Sequence, residues 1–311
     1  MKFDHVIVGG GSAGAVLANR LSEDPGTRVC LLEAGGPGTG IFYRMPAGAV
    51  AVVPNKPFRL GNWAFETVPQ KGLNGRRGYQ PRGKVLGGSS AINAMLYVRG
   101  QRQDYDTWAE LGCDGWGWND VLPYFIKAEN NERGTDDLHG ANGPLQVSDQ
   151  KEPRRISRDF VTAATQLQHR ETRDFNRGDN EGAGLYQVTQ FHDKDKNGAR
   201  CSTATGYLFP VMERPNLKVI TGAHAKELIL DGKRVTGVIY KMNGQGQDIA
   251  VNATREVILC GGALKSPQIL QVSGIGDPGD LTKHGIKVRH NLPGVGKNLQ
   301  DHLDFTLSYK C

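Results

Sequence analysis

Long apolar runs are missing from these 311 residues: stretches such as residues 94–98 fall far short of the roughly 20 needed to span a bilayer. A membrane-spanning helix is therefore not expected. The first apolar run, Val6 to Val8, leads straight into glycines, unlike the core of a secretory leader. Tracts of Lys and Arg are missing too. The 38 basic and 32 acidic residues are dispersed, so the net charge of +6 reads as a mildly basic solvated surface, not a nucleic-acid arm. An anionic cofactor or anionic lipid headgroups stay open as partners. Cysteine is scarce and odd in number: Cys30, Cys113, Cys201, Cys260 and Cys311, with no C-x-x-C pair. Cys30 and Cys260 lie inside apolar strand patterns, which points to reduced thiols in a cytoplasmic protein. The eight histidines lack H-x-H or H-E-x-x-H spacing, so no metal site is expected.

Glycine, in contrast, is abundant at 42 residues, without a triplet period. Hydrophobic residues at 38% and charged residues at 23% suit a globular chain of one large or two ordinary domains. The glycines cluster, as in GGGSAG (9–14), GGSS (87–90) and GG (261–262), where tight turns bring backbone close to something.

GGGSAG supports two chemistries. As G-x-G-x-x-G (Gly9, Gly11, Gly14) it cradles a dinucleotide pyrophosphate; as G-x-S-x-G (Gly10, Ser12, Gly14) it is a hydrolase nucleophile elbow. Residues 3–8 read as a buried strand. Ala13, Val16, Leu17 and Leu21 have helical spacing up to the Asp24-Pro25-Gly26 stop, and residues 28–33 read as a second strand. Dinucleotide binding needs an acid at the end of that strand, and Glu33 stands 19 positions past Gly14. The hydrolase reading needs an oxyanion loop such as HGGG and further strands before the serine, and neither is present. The dinucleotide reading is preferred. An acid on the ribose disfavours NADP, and NAD and FAD both stay open on this motif.

Further along, residues 34–82 are irregular, with Trp63 and Phe65 expected to be buried. Helices are expected at 104–111, 119–129, 156–168 and 203–213, and one starting within 89–96. Strands are expected at 185–191, 217–220, 225–230, 234–241, 247–252, 256–260 and 303–309. A helix over 266–273 would have Pro267 at its first position.

Two later stretches carry a family resemblance. RGKVLGGSSAINAMLYVRG (82–100) resembles the first signature of the glucose–methanol–choline (GMC) oxidoreductases. GALKSPQILQVSGIG (262–276) resembles the second, and GVGKNLQDH (294–302) the element that follows it. The closest likeness is to choline dehydrogenases and acceptor-linked dehydrogenases of aliphatic alcohols. The resemblance implies an α/β fold, with a Rossmann-like FAD-binding domain and part of a smaller α+β substrate domain. The FAD-binding domain would occupy 1–155 and 203–302, and the substrate domain 156–202 with a further start at 303–311. It implies FAD as cofactor. It also implies oxidation of the CH–OH group of an aliphatic primary alcohol or choline, hydride passing to flavin N5 and on to an acceptor such as a quinone.

By the same resemblance Gly9, Gly11, Ser12, Ala13 and Gly14 line the pyrophosphate, and Glu33 takes the adenosine ribose. Gly88, Ser89, Asn93, Ala94 and Leu96 run beside the flavin, and the backbone of Ala225 meets the adenine. Local alternatives exist: Ser89 and Ser90 as helix caps, Asn93 as a turn residue, Ala225 as ordinary sheet. Arg82 and Lys84 stand either at the flavin phosphates or as surface charge, and His302 is expected to be structural. Members that tether the flavin use a His where Ile92 stands here, so noncovalent FAD is expected. The family's catalytic pair, a His with a second His or an Asn, follows the NLQDH element and is expected beyond Cys311. No catalytic residue is therefore expected within these residues. The resemblance implies a chain that stops short of that pair, as a truncated reading frame, half of a split gene or a partial sequence. The alternative to an alcohol or choline dehydrogenase is a catalytically inactive FAD-binding fragment that needs a C-terminal partner. The location expected is cytoplasmic, with peripheral contact on the inner face of the membrane.

Overall fold

The computed structural model describes residues 1–54, 60–302 and 306–307. Strand β1 (Lys2–Val8), helix α1 (Ser12–Leu21) and strand β2 (Val29–Leu32) form a β-α-β unit whose strands are parallel. Much later in the chain β3 (Leu217–Ile220) adds in parallel to β2. A meander then follows: β4 (Ala223–Asp231), β5 (Arg234–Met242) and β6 (Gln245–Leu259), antiparallel to one another. β6 returns parallel to β1, giving a six-stranded sheet of order β4-β5-β6-β1-β2-β3.

The central strands are buried on both faces, which is why they read as unbroken apolar runs. Val6, Val8, Cys30 and Leu32 pack with Leu228, Val238, Val251 and Ile269 on one side. Ile7, Val29 and Leu31 pack with Ala15, Ala18, Leu86 and Leu208 on the other. Each such aliphatic side chain contributes roughly 1.5–3 kcal/mol by leaving water. Helix α1 lies close on its strand because Gly14 has no Cβ; one there would run into the carbonyl oxygen of Gly9.

Between β2 and β3 lie helices α2 (Arg102–Glu110), α3 (Trp118–Ala128) and α4 (Arg155–Gln166). A buried polar network ties this region together. Arg99 Nη2 meets Glu129 Oε2 at 2.7 Å, and His139 bridges Glu129 (3.0 Å) and Asp174 (2.9 Å). Helices α5 (Gly262–Val272) and α6 (Pro278–Lys283) follow the sheet. Among the described residues no helix is long and apolar enough to cross a membrane.

Several local expectations are corrected. The expected helix from Ser89 is only a 3-10 turn, Gly88–Ala91. It stops because the Asn93 side chain takes the Met95 N–H (3.1 Å) and Met95 turns to φ +63°. Residues 203–213 hold a π turn, Ala204–Leu208, then a 3-10 turn, Phe209–Val211. Pro210 has no N–H to continue an α ladder. Helix α5 begins at Gly262, so Pro267 falls inside it and not at its first position. Gln245–Leu259 forms one strand where two are expected, with an irregular step in pairing between Phe3 and His5 absorbing the break. The strand expected at 185–191 shrinks to Gln187–Val188, since its partner Leu96–Tyr97 is equally short. Trp63 and Phe65 are half-buried, not core residues. The strand expected at 303–309 lies outside the described residues, Thr306 and Leu307 apart. Cys311, the residue beyond which the catalytic pair is expected, lies outside them as well.

Candidate functional site

One cleft of about 840 Å³ opens at the C-terminal ends of β1, β2 and β6, the usual place for ligands on parallel sheets. Its floor is the turn between β1 and α1. Gly9 holds φ +105°, and its N–H bonds Leu32 O at 2.8 Å. A Cβ there would collide with the carbonyl of Cys260, so the tight turn requires glycine. At Gly11 φ is an ordinary −76°, and a Cβ would meet only the Gly88 Cα, at 3.8 Å. The protein leaves open space there, which a closely approaching ligand would use.

Helix α1 starts without a side-chain cap and without an acidic residue in its first turn. Its first N–H groups therefore face the cleft with their partial positive charge uncompensated. Helix α5 does the same from the other side. Its Gly261 N-cap makes no side-chain bond, and Gly261, Gly262 and Ala263 line the cleft. Two uncapped helix N-termini converging on one cleft suit the charge of a pyrophosphate.

Glu33 closes the end of β2. Only 5% exposed, its carboxylate accepts from Gly10 N (2.8 Å) and Gly35 N (2.7 Å). Burial pushes its pKa up, against the pull of those N–H bonds and of Lys84. One bond per oxygen leaves lone pairs for sugar hydroxyls.

Beyond Glu33 the wall turns aromatic and cationic. The Trp63 ring stacks on Phe65 at 5.7 Å and meets His224 edge-on at 5.5 Å. Lys265 Nζ lies 4.2 Å and Lys84 Nζ 4.6 Å from the centre of the Trp63 ring. Neither lysine has a carboxylate partner among the described residues. Burial, then Lys84, lowers the Lys265 pKa; burial, then both lysines, lowers that of His224. This end of the cleft thus carries two lysines without an ion pair among the described residues.

A family model described as GMC oxidoreductase matches residues 3–304. The chain belongs to the GMC oxidoreductase family. It is 46% identical over 306 residues to an alcohol dehydrogenase [acceptor] from Pseudomonas putida, covering 98% of this chain and 54% of that protein. It is also 46% identical over 312 residues to oxygen-dependent choline dehydrogenase 1 of Chromohalobacter salexigens, covering 100% and 54%. The chain thus spans about half the length of these curated relatives. Among solved structures, pyridoxine 4-oxidase from Mesorbium loti superposes with a TM-score of 0.89 at 36% identity, over 96% of this chain and 57% of that one. A FAD-dependent oxidoreductase from Chaetomium thermophilum gives 0.88 at 33%, over 96% and 52%. The expected α/β GMC fold is present.

Within this GMC fold the residues singled out from sequence fall into three groups. Gly9, Gly11, Ser12, Ala13, Glu33, Gly88, Ser89 and Ala225 all line the cleft. Gly14 lies beneath it, at the contact of helix and strand. Asn93, Ala94 and Leu96 are solvent-exposed and do not line it. Ser90 faces inward, donating to Gly87 O (2.6 Å) and accepting from Thr203 N (3.0 Å). Arg82 lines the cleft, while Lys84 caps Trp63. His302 is exposed, and Ile92 is 2% exposed. Sequence reasoning missed Trp63, Phe65, His224 and Lys265 as parts of one site. Only the Gly261-Gly262 pair, noted there as a tight turn, signalled that α5 faces it.

Proposed function

We propose that this chain is the FAD-binding part of an oxidoreductase acting on the CH–OH group of an aliphatic primary alcohol or choline. The observation that carries the reading is the convergence of two uncapped helix N-termini and the buried Glu33 on a cleft whose Gly11 leaves room for a ligand. FAD fits this arrangement. On this reading the N–H groups of Ser12, Ala13 and Gly14 hold the pyrophosphate. Glu33 accepts from the adenosine ribose, and Ala225 lies at the adenine. Gly88, Ser89, Asn93, Ala94 and Leu96 run beside the flavin. When bound, the flavin supplies a ring that accepts hydride. Ile92 lacks a nucleophilic atom and is buried within the chain, which supports noncovalent binding.

The division into a FAD-binding domain (1–155, 203–302) and a substrate-domain portion (156–202, 303–311) belongs to the same reading. So does a proton-accepting pair supplied from outside the described residues; the half-length match to the relatives supports it. An acceptor such as a quinone, and a peripheral electrostatic contact with a membrane through the net charge of +6, complete it. Release from anionic vesicles in high salt is expected for that contact.

Titration of the purified chain with FAD tests the reading. Quenching of flavin and tryptophan emission at one equivalent is expected, with all flavin recovered in the supernatant after acid precipitation. Absence of saturable binding overturns the FAD assignment, and flavin in the pellet overturns noncovalent attachment.

A further inference from the structure

Arg200 is 1% exposed and has no carboxylate partner among the described residues. Burial lowers its pKa to about 10. Only one arm of its guanidinium is engaged. Nη1 donates to Asn93 O (2.7 Å) and Asn93 Oδ1 (2.7 Å), with a longer contact to Ser90 O (3.4 Å). Nε and Nη2 are buried without a hydrogen-bond partner. A buried donor left unpaired is costly, so this placement works against stability.

The geometry shows what the arrangement does to Asn93. Its side-chain oxygen is taken twice, by Arg200 Nη1 and by Met95 N at 3.1 Å. Its backbone N–H bonds Ser89 O at 2.9 Å, and its backbone carbonyl is held by Arg200. The side-chain amide NH2 alone has no partner among the described residues, and Asn93 is exposed while Arg200 lies beneath it. The amide orientation is thus fixed: oxygen inward to the cation, nitrogen outward. Two donors on the oxygen, one of them charged, draw electron density from the amide and strengthen its remaining N–H bonds.

We propose that Arg200 is a positioning residue that locks Asn93 with its amide NH2 presented outward, to donate to an electron-rich ring nitrogen or carbonyl of the bound flavin. The inference rests on the FAD reading above and adds to it the residue that sets the polarity of the flavin-facing loop. Arg200 stands in a polar stretch, NGAR, and shares neither signature. It reaches the loop because its backbone is pinned at Gln190 and at Arg44 O (2.8 Å).

The test is a double-mutant cycle on the 311-residue chain, read by FAD affinity and by the visible absorption of bound flavin. Arg200→Met in the native background is expected to weaken FAD about tenfold and to shift the flavin bands. In an Asn93→Ala background the same change is expected to have no further effect on either readout. A merely structural arginine would lower stability alike in both backgrounds and move the spectrum in neither. Additive losses, or an unshifted spectrum, overturn the proposal. Arg200→Lys keeps a buried cation and is expected to restore part of the affinity. Should both Arg200 variants fail to fold, the native chain still decides. The Asn93 side-chain amide signals, assigned by their loss in Asn93→Asp, are expected to move downfield in 15N–1H spectra on adding FAD. Unmoved signals overturn the proposal. If the native chain binds no FAD, the parent reading falls and this one with it; FAD binding that Gly11→Val weakens, with an additive cycle, removes only this one.

Discussion

A Cβ added at Gly88 would lie 2.7 Å from the Cα of Gly11, whereas one added at Gly11 would meet the Gly88 Cα at 3.8 Å and no other neighbour within 4 Å. The two glycines touch, yet the fold demands only one of them. Gly88 also holds φ +53°, which an L side chain rarely adopts. Gly88→Ala is therefore expected to destabilise the chain by about 1–3 kcal/mol. Gly11→Ala is expected to change stability by less than about 0.5 kcal/mol, while Gly11→Val weakens FAD tenfold or more by filling ligand space. Urea unfolding and FAD titration of the three variants separate the roles. Equal destabilisation at both sites would mean that Gly11 serves packing alone.

The contrast shows what was legible in the sequence. The β-α-β start was, because its strands are buried on both faces and Gly9 and Gly14 are each forced by a local backbone contact. Glu33 was, because the spacing of strand, turn and helix fixes where the second strand ends. The cationic aromatic wall was not: Trp63, His224 and Lys265 come from distant segments and share no period. The helix expected at 203–213 failed because apolar spacing does not register Gly206 and Pro210. Asn93, Ala94 and Leu96 lie in the first signature and are exposed without being part of the cleft lining, and nothing in the sequence announces that Arg200 holds Asn93 from beneath.

His139 makes stability depend on pH. Its bonds to Asp174 and then Glu129 raise its pKa from 6.5 to about 9, against the effect of burial. A proton held more tightly in the folded state stabilises fully below pH 6.5, and that gain fades as pH rises through about 9. The gain at stake is about 3 kcal/mol. The urea midpoint is expected to fall between roughly pH 6.5 and 9, and His139→Gln to flatten that slope. An unchanged slope in the variant would remove His139 from the account.

Lys84 and Lys265 share the Trp63 ring with no anion between them, so a ligand phosphate relieves their mutual repulsion. Lys265→Ala is expected to weaken FAD about three- to tenfold at low salt, with the difference from native shrinking near 0.5 M salt. The same change is expected to raise the His224 pKa, since Lys265 helps to lower it. His224 ring signals followed against pH give that second reading without any ligand. An FAD affinity loss that ignores salt would point to lost packing on Trp63 instead.

The last prediction concerns turnover. Alcohol oxidation needs the hydroxyl proton removed as hydride leaves carbon, and a positioned base contributes about 10²–10⁴-fold. Among the described residues His224 is the only histidine lining the cleft, where its ring meets Trp63 edge-on beside Lys265. Burial, then Lys265 and Lys84, lowers its pKa. His284, His290 and His302 are exposed. The expected outcome is that FAD bound to these 311 residues stays oxidised when mixed anaerobically with choline or with medium-chain primary alcohols. Dithionite should still bleach it, proving the flavin reducible. Adding a separately expressed C-terminal half from a choline dehydrogenase relative is expected to restore bleaching. Rapid bleaching by either alcohol without that addition would place a working base inside this chain.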